Sequence, residues 1–172
     1  MRSDRGFGLL EVVLATGIVA LVLGAVLSVL SVSARRADLA ARRVTAMYLA
    51  GESLEQARAL RDSAAQDDRN AHWTGVLPVQ ESGRFERRQD GTGFHWLFTA
   101  SPAEEITLAD GVTYKRTVMV AALPQVFGDQ IGLPADNLSQ IGRHIDVRVT
   151  WGTSVGESVR ASTYLTDWRP GS

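Results

Sequence analysis

One carboxylate stands at the head of an uncharged run. Glu11 precedes Val12 to Ala34, 23 residues without a charge, and follows a short basic leader, Met1 to Gly6, and the segment Phe7-Gly8-Leu9-Leu10. A charge on a membrane helix costs roughly 2.5–3.5 kcal/mol even on the lenient insertion scales, so Glu11 needs a partner. A cut between Gly6 and Phe7 supplies one, because the new α-amine then lies four residues before Glu11, within a single helical turn. At 4 Å and an effective dielectric near 20 the attraction is roughly 4 kcal/mol, enough to offset the burial. Between copies of the chain the same pair acts as a ruler, since an unpaired charge in a low-dielectric bundle penalises every wrong axial register.

The remaining residues offer little reactive chemistry. His72, His95 and His144 are scattered, with no helical i, i+4 pairing and no carboxylate at ligand spacing, and read as surface or half-buried side chains. No phosphate loop, dinucleotide fingerprint or nucleophile elbow occurs, so neither catalysis nor a cofactor is expected. Asp62, Asp67 and Asp68, with Asp90 or Asp110, are oxygen donors of the kind calcium takes; none follows the loop pattern of a calcium hand, and solvated turns account for them. With no cysteine the chain holds no disulfide, thiolate zinc site or thiol nucleophile. The 18 basic and 19 acidic residues leave a formal net charge of -1 and no electrostatic case for nucleic-acid binding. Trp96 and Trp151 lie in phase with apolar neighbours and read as core, whereas Trp73 and Trp168 are freer to form a contact surface. Asn137-Leu138-Ser139 matches a glycosylation sequon.

Arg5-Gly6, then Phe7-Gly8-Leu9-Leu10-Glu11 and the apolar run, resembles the class III signal of type IV prepilins and type II secretion pseudopilins. The resemblance implies cleavage after Gly6 by a membrane-embedded aspartyl prepilin peptidase, methylation of the new amine of Phe7, and subunit register set by Glu11. Gly8 departs from the family pattern, where Thr or Ser is commoner. The stretch from Tyr48 to Asp62 is loosely similar to the helix of minor pilins and of one minor pseudopilin class, with Leu49-Ala50, later glutamates and paired arginines.

A plain single-pass anchor with Glu11 at the headgroup level is the alternative, since 23 uncharged residues span a bilayer with some tilt. A secretory signal peptide fits less well: the run exceeds a 7–15-residue apolar region, and Ser31-Val32-Ser33-Ala34 is the nearest approach to its cleavage site. Counting positive charge, Arg2 and Arg5 before the run against Arg35, Arg36, Arg42 and Arg43 after it, places the far side in the cytoplasm. The resemblance implies the opposite, and Asp38 among those arginines marks the start of an amphipathic helix.

The elements that position Glu11 follow from periodicity. Helical pattern runs without proline from Leu9 to about Ala65, roughly 85 Å at 1.5 Å per residue. Val44, Met47, Gly51, Leu54, Ala57 and Leu60 draw one apolar stripe, with Arg42, Arg43, Glu52, Glu55, Gln56, Arg58 and Arg61 on the rest of the surface. A hairpin is expected from Gly83 to Phe98, turning at Gln89 to Gly93, with Phe94, Trp96 and Phe98 on one face. Asp110-Gly111 leads into a strand from Thr113 to Ala122, and Pro124 to Asn137 reads as a loop. Ile145, Val147, Val149 and Trp151 alternate with Asp146, Arg148 and Thr150, then Gly152 to Gly156 turns into Val159, Ala161, Thr163 and Leu165. An apolar sheet face needs a cover, which the helix stripe supplies.

The expected fold is α+β and pilin-like, a long N-terminal helix packed on a C-terminal antiparallel sheet. It divides into a leader over 1–6, a membrane and assembly helix over 7–34, an amphipathic helix over 35–65 and a β domain over 66–172. The expected function is a minor pilin or pseudopilin-like subunit of a pilus, secretion or DNA-uptake filament; a membrane-anchored extracytoplasmic binding module is the alternative. The implied partners are other pilin or pseudopilin subunits, the prepilin peptidase, an inner-membrane assembly platform and, before assembly, lipid. The implied location is the inner or cytoplasmic membrane, then a periplasmic or extracellular filament.

Overall fold

No proline interrupts residues 9–64, and the helix that follows from this is continuous: α1 spans Leu9–Ala64. The computed structural model describes residues 8–64, 77–90, 93–131, 138, 141–152 and 157–166. By its contacts the chain falls into two compact units, Met1–Arg42 and Arg43–Ser172.

In the first unit α1 is rich in Leu, Val and Ala on all sides. The β-branched residues are indifferent helix formers in water, whereas in apolar surroundings a helix satisfies its backbone polar groups internally. Two of its hydroxyls are satisfied locally as well. The Thr16 hydroxyl is shared between the carbonyls of Val12 at 3.0 Å and Val13 at 2.9 Å, and Ser31 donates to the Ser28 carbonyl at 2.8 Å. Every described residue here up to Ala41 is exposed, and α1 is the one helix among the described residues long and apolar enough to cross a membrane.

In the second unit the same helix becomes one-sided. Ala46, Ala50, Ser53, Ala57 and Leu60 recur at steps of four and three, and all are buried against the sheet, with Leu49 and Leu54 partly buried beside them. Small helix residues oppose large sheet residues, Phe85, Tyr114 and Trp151 among them, so the two layers interdigitate. Each fully buried Val or Leu of this core contributes roughly 1.5–3 kcal/mol.

The sheet is antiparallel, built from β1 (Gln80–Asp90), β2 (Gly93–Ala100), β3 (Glu104–Thr107), β4 (Thr113–Ala122), β5 (Gly142–Trp151) and β6 (Ser158–Thr166), in spatial order β2-β1-β4-β5-β6, with β3 also paired to β4. The expected hairpin is β1–β2, with Phe85 opposite Phe98 and their rings 5.1 Å apart. The Asp110 carboxylate accepts from the Val112 amide at 3.0 Å, and Gly111 takes a positive φ of 77°, which fixes the turn into β4. Along β5 the residues from Arg143 to Trp151 alternate, with Ile145, Val147, Val149 and Trp151 all buried.

Three expectations need correction. Val44, Met47 and Gly51 do not line the packing stripe: Val44 and Met47 are exposed on the opposite side of α1, because the small residues at 46, 50, 53 and 57 seat the helix on the sheet instead. Gln56, expected on the surface, is buried, its amide donating to Glu52 at 3.2 Å. The segment Pro124 to Asn137 is not wholly a loop, since Gln125–Ile131 forms the short helix α2, braced by Gln125 donating to Asp129 at 2.8 Å. Asp146 lies opposite the apolar face of β5 as expected, and its carboxylate, itself buried, accepts from Arg160.

Gly142 opens β5 in a place with no room for a side chain: a Cβ there would lie 2.4 Å from the Leu165 carbonyl oxygen and 2.9 Å from Leu123 Cδ1. Gly142→Ala is expected to destabilise the second unit by about 1–3 kcal/mol. Gly51→Ala, where a Cβ meets nothing within 4 Å, is expected to stabilise it by roughly 0.5–1 kcal/mol. Urea unfolding of the full chain in detergent micelles, followed by tryptophan fluorescence, checks both signs.

Candidate functional site

Gly8 sets the start of α1. Its carbonyl accepts the amides of Glu11 at 2.9 Å and Val12 at 3.3 Å, placing Glu11 in the first turn. A carboxylate there faces the unsatisfied amides and positive end of the helix, a favourable interaction of roughly 0.3–1 kcal/mol. Among the described residues no side chain pairs with Glu11. Gly6 and Phe7, the expected cleavage and methylation positions, lie outside the described residues, as do Arg2 and Arg5. Next to Glu11 the helix surface forms an apolar groove of about 570 Å³, lined by Leu10, Val13, Leu14, Gly17, Ile18 and Leu21.

A second apolar surface occurs in the other unit. Val44, Met47, Tyr48 and Gly51, with Glu52 at the margin, line a recess of about 390 Å³ on the side of α1 turned away from the sheet. Met47 is 59% and Tyr48 76% exposed, so these two large side chains are left in solvent by the fold itself. Single exposed apolar residues are ordinary; here Val44, Met47 and Tyr48 adjoin one another on one side of the helix.

Arg116 fixes which side of α1 is left open. It sits on β4 in phase with Tyr114, Val118 and Val120, all pointing at the helix, and is itself buried. Its Nε and Nη2 donate to Glu104 of β3 at 2.9 and 2.6 Å, while Nη1 donates to the Glu52 carboxylate at 2.9 Å and the Leu49 carbonyl at 3.2 Å. One guanidinium thereby ties two strands to the helix, and its bonds to positions 49 and 52 set the rotation of α1 about its own axis. Charge-assisted bonds of this kind are about twice as strong as neutral ones. The sequence signal for Arg116 is a cation at an inward position of a strand, which helical periodicity alone does not report.

Arg143 is the second inward cation. It is 1% exposed, its Nε donates to the Leu77 carbonyl at 2.7 Å and its Nη1 to the Gly142 carbonyl at 2.9 Å, and burial pushes the guanidinium below its ordinary pKa. These bonds anchor the chain at Leu77 to the start of β5. His144 stacks on Tyr164 at 4.8 Å, and Asp62 pairs with Arg61 at 2.8 Å. Among the described residues no group of three or more His, Cys, Asp or Glu is arranged to hold a metal. Asp67, Asp68, His72, Trp73, Asn137, Ser139 and Trp168 lie outside the described residues.

Arg116→Ala is expected to cost about 1.5–3 kcal/mol, since it removes the charge-assisted bonds to Glu104, Glu52 and the Leu49 carbonyl. Glu52→Gln, at the solvent-facing end of the same cluster, is expected to cost under about 1 kcal/mol. Denaturant midpoints of the two variants separate these magnitudes.

Comparison with known proteins finds no matching family model, no matching curated protein and no matching solved structure.

Proposed function

We propose that this chain is a minor pilin or pseudopilin-like subunit of a type IV filament, cut after Gly6 by a prepilin peptidase, methylated at Phe7 and assembled through α1. One observation carries the reading. α1 leaves apolar surface uncovered in both units, and a bilayer suits only the first of them. Val12 to Ala34 exchanges lipid neighbours for neighbouring helices at little hydrophobic cost. Val44, Met47 and Tyr48 belong instead to a domain with Arg43 and Glu52 beside them, where hydrocarbon would strand those charges. Protein is the cover that suits both surfaces.

On this reading the subunit waits in the inner membrane with its second unit extracytoplasmic, and Glu11 then registers it against the Phe7 amine of an adjacent subunit. The first-turn position of Glu11 supports that role, because its carboxylate is presented at the end of the helix from which the new amine would come. A membrane-anchored binding module outside any filament is the second reading. The length and apolarity of α1 suit it equally, but it gives Glu11 no task.

Mass spectrometry of the N-terminus separates the two: an N-methylated chain starting at Phe7 is expected, and an intact Met1 in cells with active prepilin peptidase would count against assembly. Glu11→Ala should leave membrane insertion intact and abolish recovery in sheared filaments. Met47→Glu should fold normally, as its side chain is largely exposed and outside the buried core, yet lower incorporation at least tenfold in the same assay. Normal incorporation of both variants would remove the proposal.

A further inference from the structure

The sheet face turned away from α1 carries an arrangement to which the proposed function assigns no task. Across β5 and β6 the directly opposed pairs on this face include Thr150 and Ser158, Arg148 and Arg160, Asp146 and Ser162, and His144 and Tyr164. From β4, Thr117 faces Arg148 and Met119 faces Asp146. Two guanidiniums directly opposite on antiparallel strands repel one another. Arg160 is held to one side by Asp146, whose buried carboxylate accepts from Arg160 Nε at 2.6 Å. Arg148 is exposed and has no side-chain partner among the described residues. Met119, Asp146, Arg148, Ser158 and Arg160 together line a recess of about 420 Å³.

We propose that this recess binds an acidic saccharide unit, a uronate. Its carboxylate would bridge Arg148 and the free Nη groups of Arg160, its hydroxyls would meet Ser158 and Asp146, and one face of its ring would rest on Met119. Three features select this chemistry. The guanidinium fork matches a planar carboxylate, and an anion between two opposed arginines relieves their repulsion. The surroundings are rich in hydroxyls, with Thr117, Thr150 and Ser162 flanking the recess in register, as a polyhydroxylated ligand requires. The fixed carboxylate of Asp146 leaves room for one negative charge, which disfavours a nucleic-acid strand with a phosphate on every nucleotide. The site stands whether or not the chain enters a filament.

The test is calorimetric titration of the full chain in detergent micelles with D-glucuronate, D-glucose and acetate, with NMR observation of the arginine Nε–H signals. Glucuronate is expected to bind saturably and to move the Arg148 and Arg160 signals, with glucose and acetate at least tenfold weaker. Arg148→Gln should lose at least tenfold in affinity with an unchanged circular dichroism spectrum, and Arg88→Gln, on β1, should bind as the parent does. Absence of saturable glucuronate binding, acetate binding as tight as glucuronate, full binding by Arg148→Gln, or tighter binding of a single-stranded oligonucleotide would each overturn the assignment.

Discussion

Apolar surface that a chain cannot cover with its own residues must be covered by something else, and α1 has such surface in two chemically different settings. In the first unit its Leu, Val and Ala side chains are exposed on every side. In the second it buries the face bearing Ala46, Ala50, Ser53 and Ala57 and leaves Val44, Met47 and Tyr48 open. The functional reading rests on this pattern, because lipid is an adequate cover for the first surface and a poor one for the second.

The choice of face is set by packing geometry and by one cation. Small residues on the helix admit the large side chains of the sheet, and Arg116 takes hold of the Leu49 carbonyl and the Glu52 carboxylate while bonded to Glu104. Turning α1 to bury Met47 would break those bonds and leave a buried guanidinium without its partners, a change of several kcal/mol. The open patch is therefore imposed by the core beneath it.

Much of this architecture was readable from residues. The strict alternation from Ile145 to Trp151 specified both the strand and its buried face, and the absence of proline from Leu9 onward specified one long helix. Glu11 stood out because a lone acid beside an apolar run has few explanations. What escaped has a common physical cause: local patterns do not report tertiary partners. The stripe through Val44 and Met47 satisfied helical periodicity as well as the true face does, and hydrophobicity favoured the larger side chains, whereas the sheet required small ones. β3, with the sequence Glu-Glu-Ile-Thr, has weak strand propensity and forms where Glu104 meets Arg116 and the backbone pairs with β4. The alternation along β5 likewise placed Asp146 opposite the apolar face without showing that Arg160 on the neighbouring strand pairs with it.

The central claim is that protein, and not lipid or solvent, covers the open side of α1 in the second unit. Site-specific incorporation of a photo-crosslinking residue at Met47 in living cells tests it most directly. The account predicts a crosslink to another protein chain that disappears when Glu11 is replaced by Ala. Crosslinking to lipid alone, or a protein adduct that persists undiminished in the Glu11→Ala background, would contradict it.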